Sequence, residues 1–201
     1  MEILKIYKNF FSILIIFLFV IPLSKADESI EFQISGMSLK ESLLNHYGKN
    51  EINKTKYYGY KLKDYYTVSL PKRDDLFDDV QVNIKENDEK FIIESIEGAM
   101  DIENLPECIK KKEIIEKEIM GQFPNLKFSI GKLKSHSADP TGSSKTITTD
   151  LFFKKSFRDG AAIRIMCTDW SKNIEKKKWS DSFRVIINSN DFNNFINKNY
   201  N

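Results

Sequence analysis

The chain has 201 residues, with 31 Lys and Arg against 29 Asp and Glu, two cysteines and two histidines. Residues 1–26 carry three of the lysines and one of the glutamates, so the rest of the chain holds 28 charges of each sign. Binding nucleic acid by counterion release needs a concentrated positive surface; here lysines alternate with acids, as in KKKEIIEKE, and the composition argues against a nucleic-acid partner.

At the N-terminus Lys5 and Lys8 precede an apolar run, Phe10 to Leu23, that meets Pro22 and then Ser24-Lys25-Ala26. Charge, then apolar residues, then small residues is the order of a secretory signal peptide, and it predicts cleavage after Ala26 and a periplasmic or extracellular protein. A spanning helix needs about 20 apolar residues; an uncleaved anchor is the competing reading of this shorter, proline-ended run. A lipoprotein signal would place a cysteine at the cleavage site, whereas the cysteines are Cys108 and Cys167, so no lipid anchor is expected. Residues 27–201 suffice for a single domain. Two cysteines in an exported chain predict a disulfide. Cys108 shares a helical face with Leu105, Ile115 and Ile119, and Cys167 alternates with Ile163 and Ile165 along a strand, so both point inward.

In chain order, Ser38-Leu39-Lys40-Glu41 reads as a capping box opening a helix with Leu39, Leu43, Leu44 and Tyr47 on one face and Gly48 as its stop. Strands follow at Tyr58 to Leu70, Val80 to Ile84 and Phe91 to Glu97. A second passage opens with Asn104-Leu105-Pro106-Glu107, a cap with proline in the first turn, and its helix runs to Gly121. Strands are then expected near Leu126 to Leu133, Thr146 to Phe153, Ala161 to Thr168 and Phe183 to Ile187, with a hairpin turn at Asp159-Gly160 and a terminal helix bearing Phe192, Phe195 and Ile196. The pattern predicts an α+β domain, an antiparallel sheet with two to three helices. Its two passages, 36–100 and 104–201, suggest a duplicated αβββ unit.

The stretch GMSLKESLLNHYG, Gly36 to Gly48, resembles the Gly-Met-Ser/Thr helix opening of outer-membrane assembly lipoproteins of the SmpA/OmlA type. That resemblance implies a helical segment before a three-stranded antiparallel sheet, acting as a non-catalytic binding surface. The family's lipid-bearing cysteine has no counterpart here.

Catalytic and metal chemistry find little support. His46, Cys108, His136 and Cys167 lack the paired spacing of closed zinc sites, and a disulfide would remove any thiolate nucleophile. The chain has no G-x-S-x-G elbow, P-loop or G-x-G-x-x-G. Asp74, Asp75, Asp78 and Asp79 lack the glycine and spacing of a calcium loop and read as a solvated turn. No cofactor is expected. Asn53-Lys54-Thr55 is a glycosylation sequon, relevant only in a eukaryotic secretory pathway. LKSHSADPTGSSKTITTDL, Leu133 to Leu151, holds His136 among turn formers and reads as an exposed connection. In WSKNIEKKKW, Trp170 and Trp179 either anchor a partner or cap the end of the core. Trp170, Trp179, Arg184 and His136 are the candidate binding surface. The leading function is a non-catalytic envelope module binding an envelope or secreted protein. The competing readings are a small extracytoplasmic hydrolase using a histidine and an acid, and a secreted enzyme inhibitor.

Overall fold

The structure, a computed structural model, describes residues 32–71, 76–152, 161–176 and 179–200. The expected signal segment 1–26, Asp74-Asp75 and the expected Asp159-Gly160 turn lie outside the described residues. The helices are α1 (Lys49–Lys54), α2 (Leu105–Gln122), α3 (Lys172–Glu175) and α4 (Asn190–Tyr200), with a 3₁₀ turn at Leu43–Asn45. The strands are β1 (Lys56–Tyr57), β2 (Tyr65–Leu70), β3 (Asp79–Lys85), β4 (Ile93–Asp101), β5 (Lys127–Ile130), β6 (Lys134–Ser135), β7 (Lys145–Phe152), β8 (Ala162–Asp169) and β9 (Ser182–Asn188). They form one antiparallel sheet in the order β1-β2-β3-β4-β9-β8-β7-β5, with β6 also pairing β7. The class is α+β, as the alternation of the strands indicates. The helical segments number four among the described residues, more than the expected two to three, because α1 and α3 are short pieces of six and four residues.

Two meanders, β2-β3-β4 and β7-β8-β9, meet where β4 pairs β9, from Ser95 opposite Asn188 to Asp101 opposite Ser182. Period-two alternation puts every second side chain on one face, and register then aligns them across the sheet. Val68, Val82, Ile96, Ile187, Ile163, Leu151 and Phe128 are successive cross-strand partners. The first six are fully buried, and Phe128, on the edge strand, is 53% exposed. This row is the centre of the core.

Helix α2 covers the β8–β9 part of the apolar face. The Asn104 side chain accepts the Glu107 amide at 2.9 Å and so caps it, as the sequence predicts. A disulfide joins Cys108 on α2 to Cys167 on β8, with Cα atoms 5.9 Å apart. It fits an extracytoplasmic compartment. Part of the lysine-glutamate run is not surface charge: Lys112 and Glu116 are buried on the inner side of α2, where Lys112 Nζ donates to Glu116 Oε1. Among the described residues no helix is long and apolar enough to cross a membrane.

The helix expected from Ser38 does not form. The Glu41 carboxylate does accept the Ser38 amide at 2.6 Å, but Lys40 turns the chain with φ +67. The Lys40 amide donates to the Ile93 carbonyl and Leu43 N–H to the Phe91 carbonyl, which ties the segment to the start of β4. Met37 and Leu43 are fully buried in the core, so tertiary packing overrides local helix propensity. Gly48 then begins a helix instead of ending one: it is the N-cap residue of α1, and its amide donates to Glu51 at 2.8 Å.

Candidate functional site: the polar sheet face and its tryptophan rim

The second face of the sheet is mainly polar, with Ile186 and Met166 set among its polar positions. Thr67, Gln81, Glu97, Arg184, Arg164 and Asp150 occupy its alternate strand positions. At its centre Arg184 Nη1 donates to Glu97 Oε1 at 2.9 Å and Nε donates to Ser182 Oγ at 3.1 Å. Arg164 holds Asp150 in a bidentate pair at 2.7 and 3.0 Å. Burial pushes the Glu97 carboxyl above its ordinary range, and Asp79 adds to the rise while Arg184 opposes it. Asp79 also accepts hydrogen bonds from Ser69 and Gln81. Of the described part of the acidic run, Asp79 is built into the start of β3, while Asp78 stands exposed in the bend before it.

Helix α4 closes one end of this face. Tyr65 from β2 meets Phe192 and Phe195 at centroid distances of 5.2 and 4.7 Å, and Asn188 on β9 donates to Asn193 on α4 at 2.9 Å.

The opposite end is a rim of three aromatic rings. His136 packs against Trp170 with centroids 4.3 Å apart and ring planes tilted by 54°, and Trp179 meets Trp170 edge-on at 4.5 Å. Trp170 is 5% exposed and Trp179 47%, so one tryptophan is buried beneath the rim and the other faces solvent. Trp170 Nε1 is buried with no hydrogen-bond partner among the described residues.

The loop beneath the rim is held by Asp139. Its buried carboxylate accepts hydrogen bonds from the amide and hydroxyl of both Thr141 and Ser144 and from the Ser171 hydroxyl, at 2.6–2.9 Å. Those bonds, first from Ser144 and then from Thr141, hold its pKa far below the carboxylate range. The connection is exposed at most of its residues, as expected, and the buried Asp139 and Ser144 tie it to the entry of α3. Ser and Thr clustered around an Asp-Pro step are the sequence signal for such a knot, and it can be read only when the distant Ser171 is placed beside it.

Of the candidate residues, His136, Trp170 and Trp179 form one aromatic cluster, and Arg184 lies close enough for its charge to depress the His136 pKa. Burial is the larger cause of that depression, and Lys134 adds to it. His136 Nδ1 accepts the Ala138 amide at 3.1 Å, so in the neutral ring Nε2 carries the proton. The disulfide removes both cysteines as nucleophiles. His46 belongs to the segment packed on the apolar face, where its Nε2 lies 3.0 Å from Glu41 Oε1. Among the described residues no set of His, Cys, Asp and Glu converges to hold a metal ion.

Glu97, Asp150 and Arg164 complete the polar face and escaped the sequence reading. Their signal is the polar half of each alternating strand, which shows which positions share a face only once register is known. No protein-family model, curated protein or solved structure matches the chain, so a functional reading rests on this geometry.

Proposed function

We propose that the protein is a non-catalytic, exported binding module of the cell envelope that meets a protein partner with the Trp179–Trp170–His136 rim and the adjoining polar sheet face. The observation that carries this reading is Trp179, a large ring 47% exposed yet braced edge-on by a buried tryptophan, with Arg184 on the neighbouring face. Interface energy concentrates in such aromatic and arginine anchors, and a pre-packed ring loses little side-chain entropy on binding. The signal segment and the disulfide support export. The likeness of Gly36 to Gly48 to envelope assembly modules points to the same kind of role. The mirrored strand order about the β4–β9 seam supports reading 36–100 and 104–201 as a duplicated unit.

The test is parallel capture from an envelope extract by the oxidised wild type and by Trp179→Ala and His136→Ala, followed by direct titration with the captured partner. Trp179→Ala should weaken binding by about 2 kcal/mol, the scale of an interface anchor, without moving the thermal midpoint, and His136→Ala should retain capture. Equal binding by Trp179→Ala would reject the rim. If the partner is a secreted enzyme whose turnover falls in the complex, the module acts as an inhibitor.

The His46–Glu41 pair favours one second reading, a hydrolase whose histidine is oriented by an acid. A general base contributes about 10²- to 10⁴-fold to rate, so turnover of an extracytoplasmic substrate should then vanish in His46→Ala while the fold survives.

A further inference from the structure

We propose that the outer edge of the sheet at β5 accepts an extended strand of a partner protein in which acidic and apolar side chains alternate. This contact goes beyond the rim reading and does not depend on it. Three observations converge on it.

The first is backbone geometry. β5 and β6 both pair with β7, and no described strand lies outside them. Gly131 N–H donates to the Thr148 carbonyl at 2.8 Å. Antiparallel ladders alternate, so Lys127 and Ser129 direct their backbone groups to β7 with the same parity. Phe128 and Ile130 therefore direct theirs away from the sheet. N–H and C=O groups that no described strand meets are a template for strand addition.

The second is the apolar row. Phe128 and Ile130 lie opposite Leu151 and Thr149, on the face that carries the core. Helix α2 covers β8 and β9 and leaves this edge open. Phe128 is 53% exposed, Ile130 57% and, just beyond, Leu133 49%. An added strand would continue the row with its own apolar side chains.

The third is charge. Between Gln122 and Ala138 the charged residues are Lys127, Lys132 and Lys134, with no acid, and all three lysines are exposed. Two copies of this edge would set like charges together, which is how natural sheets discourage self-pairing. A strand bearing acids beside Lys127 and apolar residues beside Phe128 and Ile130 satisfies backbone, row and charge at once.

The probe is a capped peptide of about six residues, the usual strand length, with glutamate and valine alternating, added to the oxidised, signal-cleaved chain. Amide exchange followed by NMR should slow by about tenfold or more at Phe128 and Ile130, whose N–H groups gain partners, while Ser129 and Gly131 are protected from the start. Ile130→Pro deletes an outward N–H that the ladder does not use and should weaken binding about tenfold. As proline could disturb the strand, Lys127→Glu combined with Lys132→Glu is the second variant. It should lose the glutamate peptide and gain the corresponding lysine-valine peptide. Trp179→Ala should bind the peptide as the wild type does, so failure of the rim reading leaves this result standing. Unchanged exchange at Phe128 and Ile130 under saturating peptide would overturn the proposal. Equal affinity for a peptide with its glutamates clustered at one end would do the same, as would protection of these two amides by dimerisation without peptide.

Discussion

At the scale of single residues, His136 and Asp139 show how neighbouring groups set protonation. His136 is depressed from 6.5 by burial, by Arg184 and by Lys134. The unfolded chain therefore takes up this proton at a higher pH than the folded one, and stability falls as pH drops from about 6.5 through the lower folded value. Both tryptophans of the chain sit in the aromatic cluster, and an imidazolium in ring contact quenches indole emission. Tryptophan fluorescence should consequently step down on acidification with a midpoint below 6.5, and His136→Gln should remove the step. Asp139 has the complementary sign. Its contribution is complete above the ordinary carboxylate range near 4 and is lost as pH falls toward its depressed folded value. Asp139→Ala would strand the Ser144 and Thr141 donors, so its thermal midpoint should fall, with Asp139→Asn intermediate because an amide oxygen still accepts; differential scanning calorimetry at neutral pH measures both. Retention of the wild-type midpoint by Asp139→Ala would show that the loop needs no carboxylate.

At the scale of elements, α2 binds the sheet by two unlike means. Its Cys108 and Ile119 present covalent and apolar contact, while Lys112 and Glu116 place an ion pair between them, 3% and 6% exposed at the side chains. Removing one partner of a buried pair leaves a charge without compensation and costs about 3–5 kcal/mol, whereas replacing both with apolar residues of similar volume is often neutral. Urea unfolding should accordingly find Lys112→Met or Glu116→Leu alone strongly destabilising and the double variant close to wild type. Near-additive losses would mean that each residue has independent partners. The same helix shows why amphipathicity was only half legible: the i, i+4 spacing of lysine and glutamate is the usual sign of a solvated pair, and nothing local marks this one as buried.

For the whole molecule, the disulfide and the β4–β9 seam hold the parts together. Cys108 and Cys167 are 59 residues apart, and closing a loop of that size is worth about 4 kcal/mol in the chain-entropy model. For a chain of this size each kcal/mol moves the midpoint by about 2–4 °C. Reduction should thus lower it by about 10 °C, and non-reducing peptide mapping should recover the Cys108–Cys167 linkage. Because one sheet and one core run through both passages, the oxidised protein should unfold in a single transition.

The sequence by itself determined the strands with clean alternation, the capped helix α2, the inward direction of both cysteines and hence their pairing, because each follows from local periodicity or from the scarcity of partners. Tertiary structure decided the rest. Ser38 to Tyr47 has the spacing of a helix, but burying Met37 and Leu43 against β4 outweighs the small free-energy preference of a short helix. His136, Trp170, Trp179 and Arg184 could each be named from residue type. Their joining at one end of a polar face depended on β6, β8 and β9 being brought together by pairings between distant segments, and register of that kind is set by the packing of the whole sheet. The exposure of Phe128 at the end of an otherwise buried row is likewise invisible in LKFSI, because it follows from where α2 stops covering the sheet and no further described strand begins.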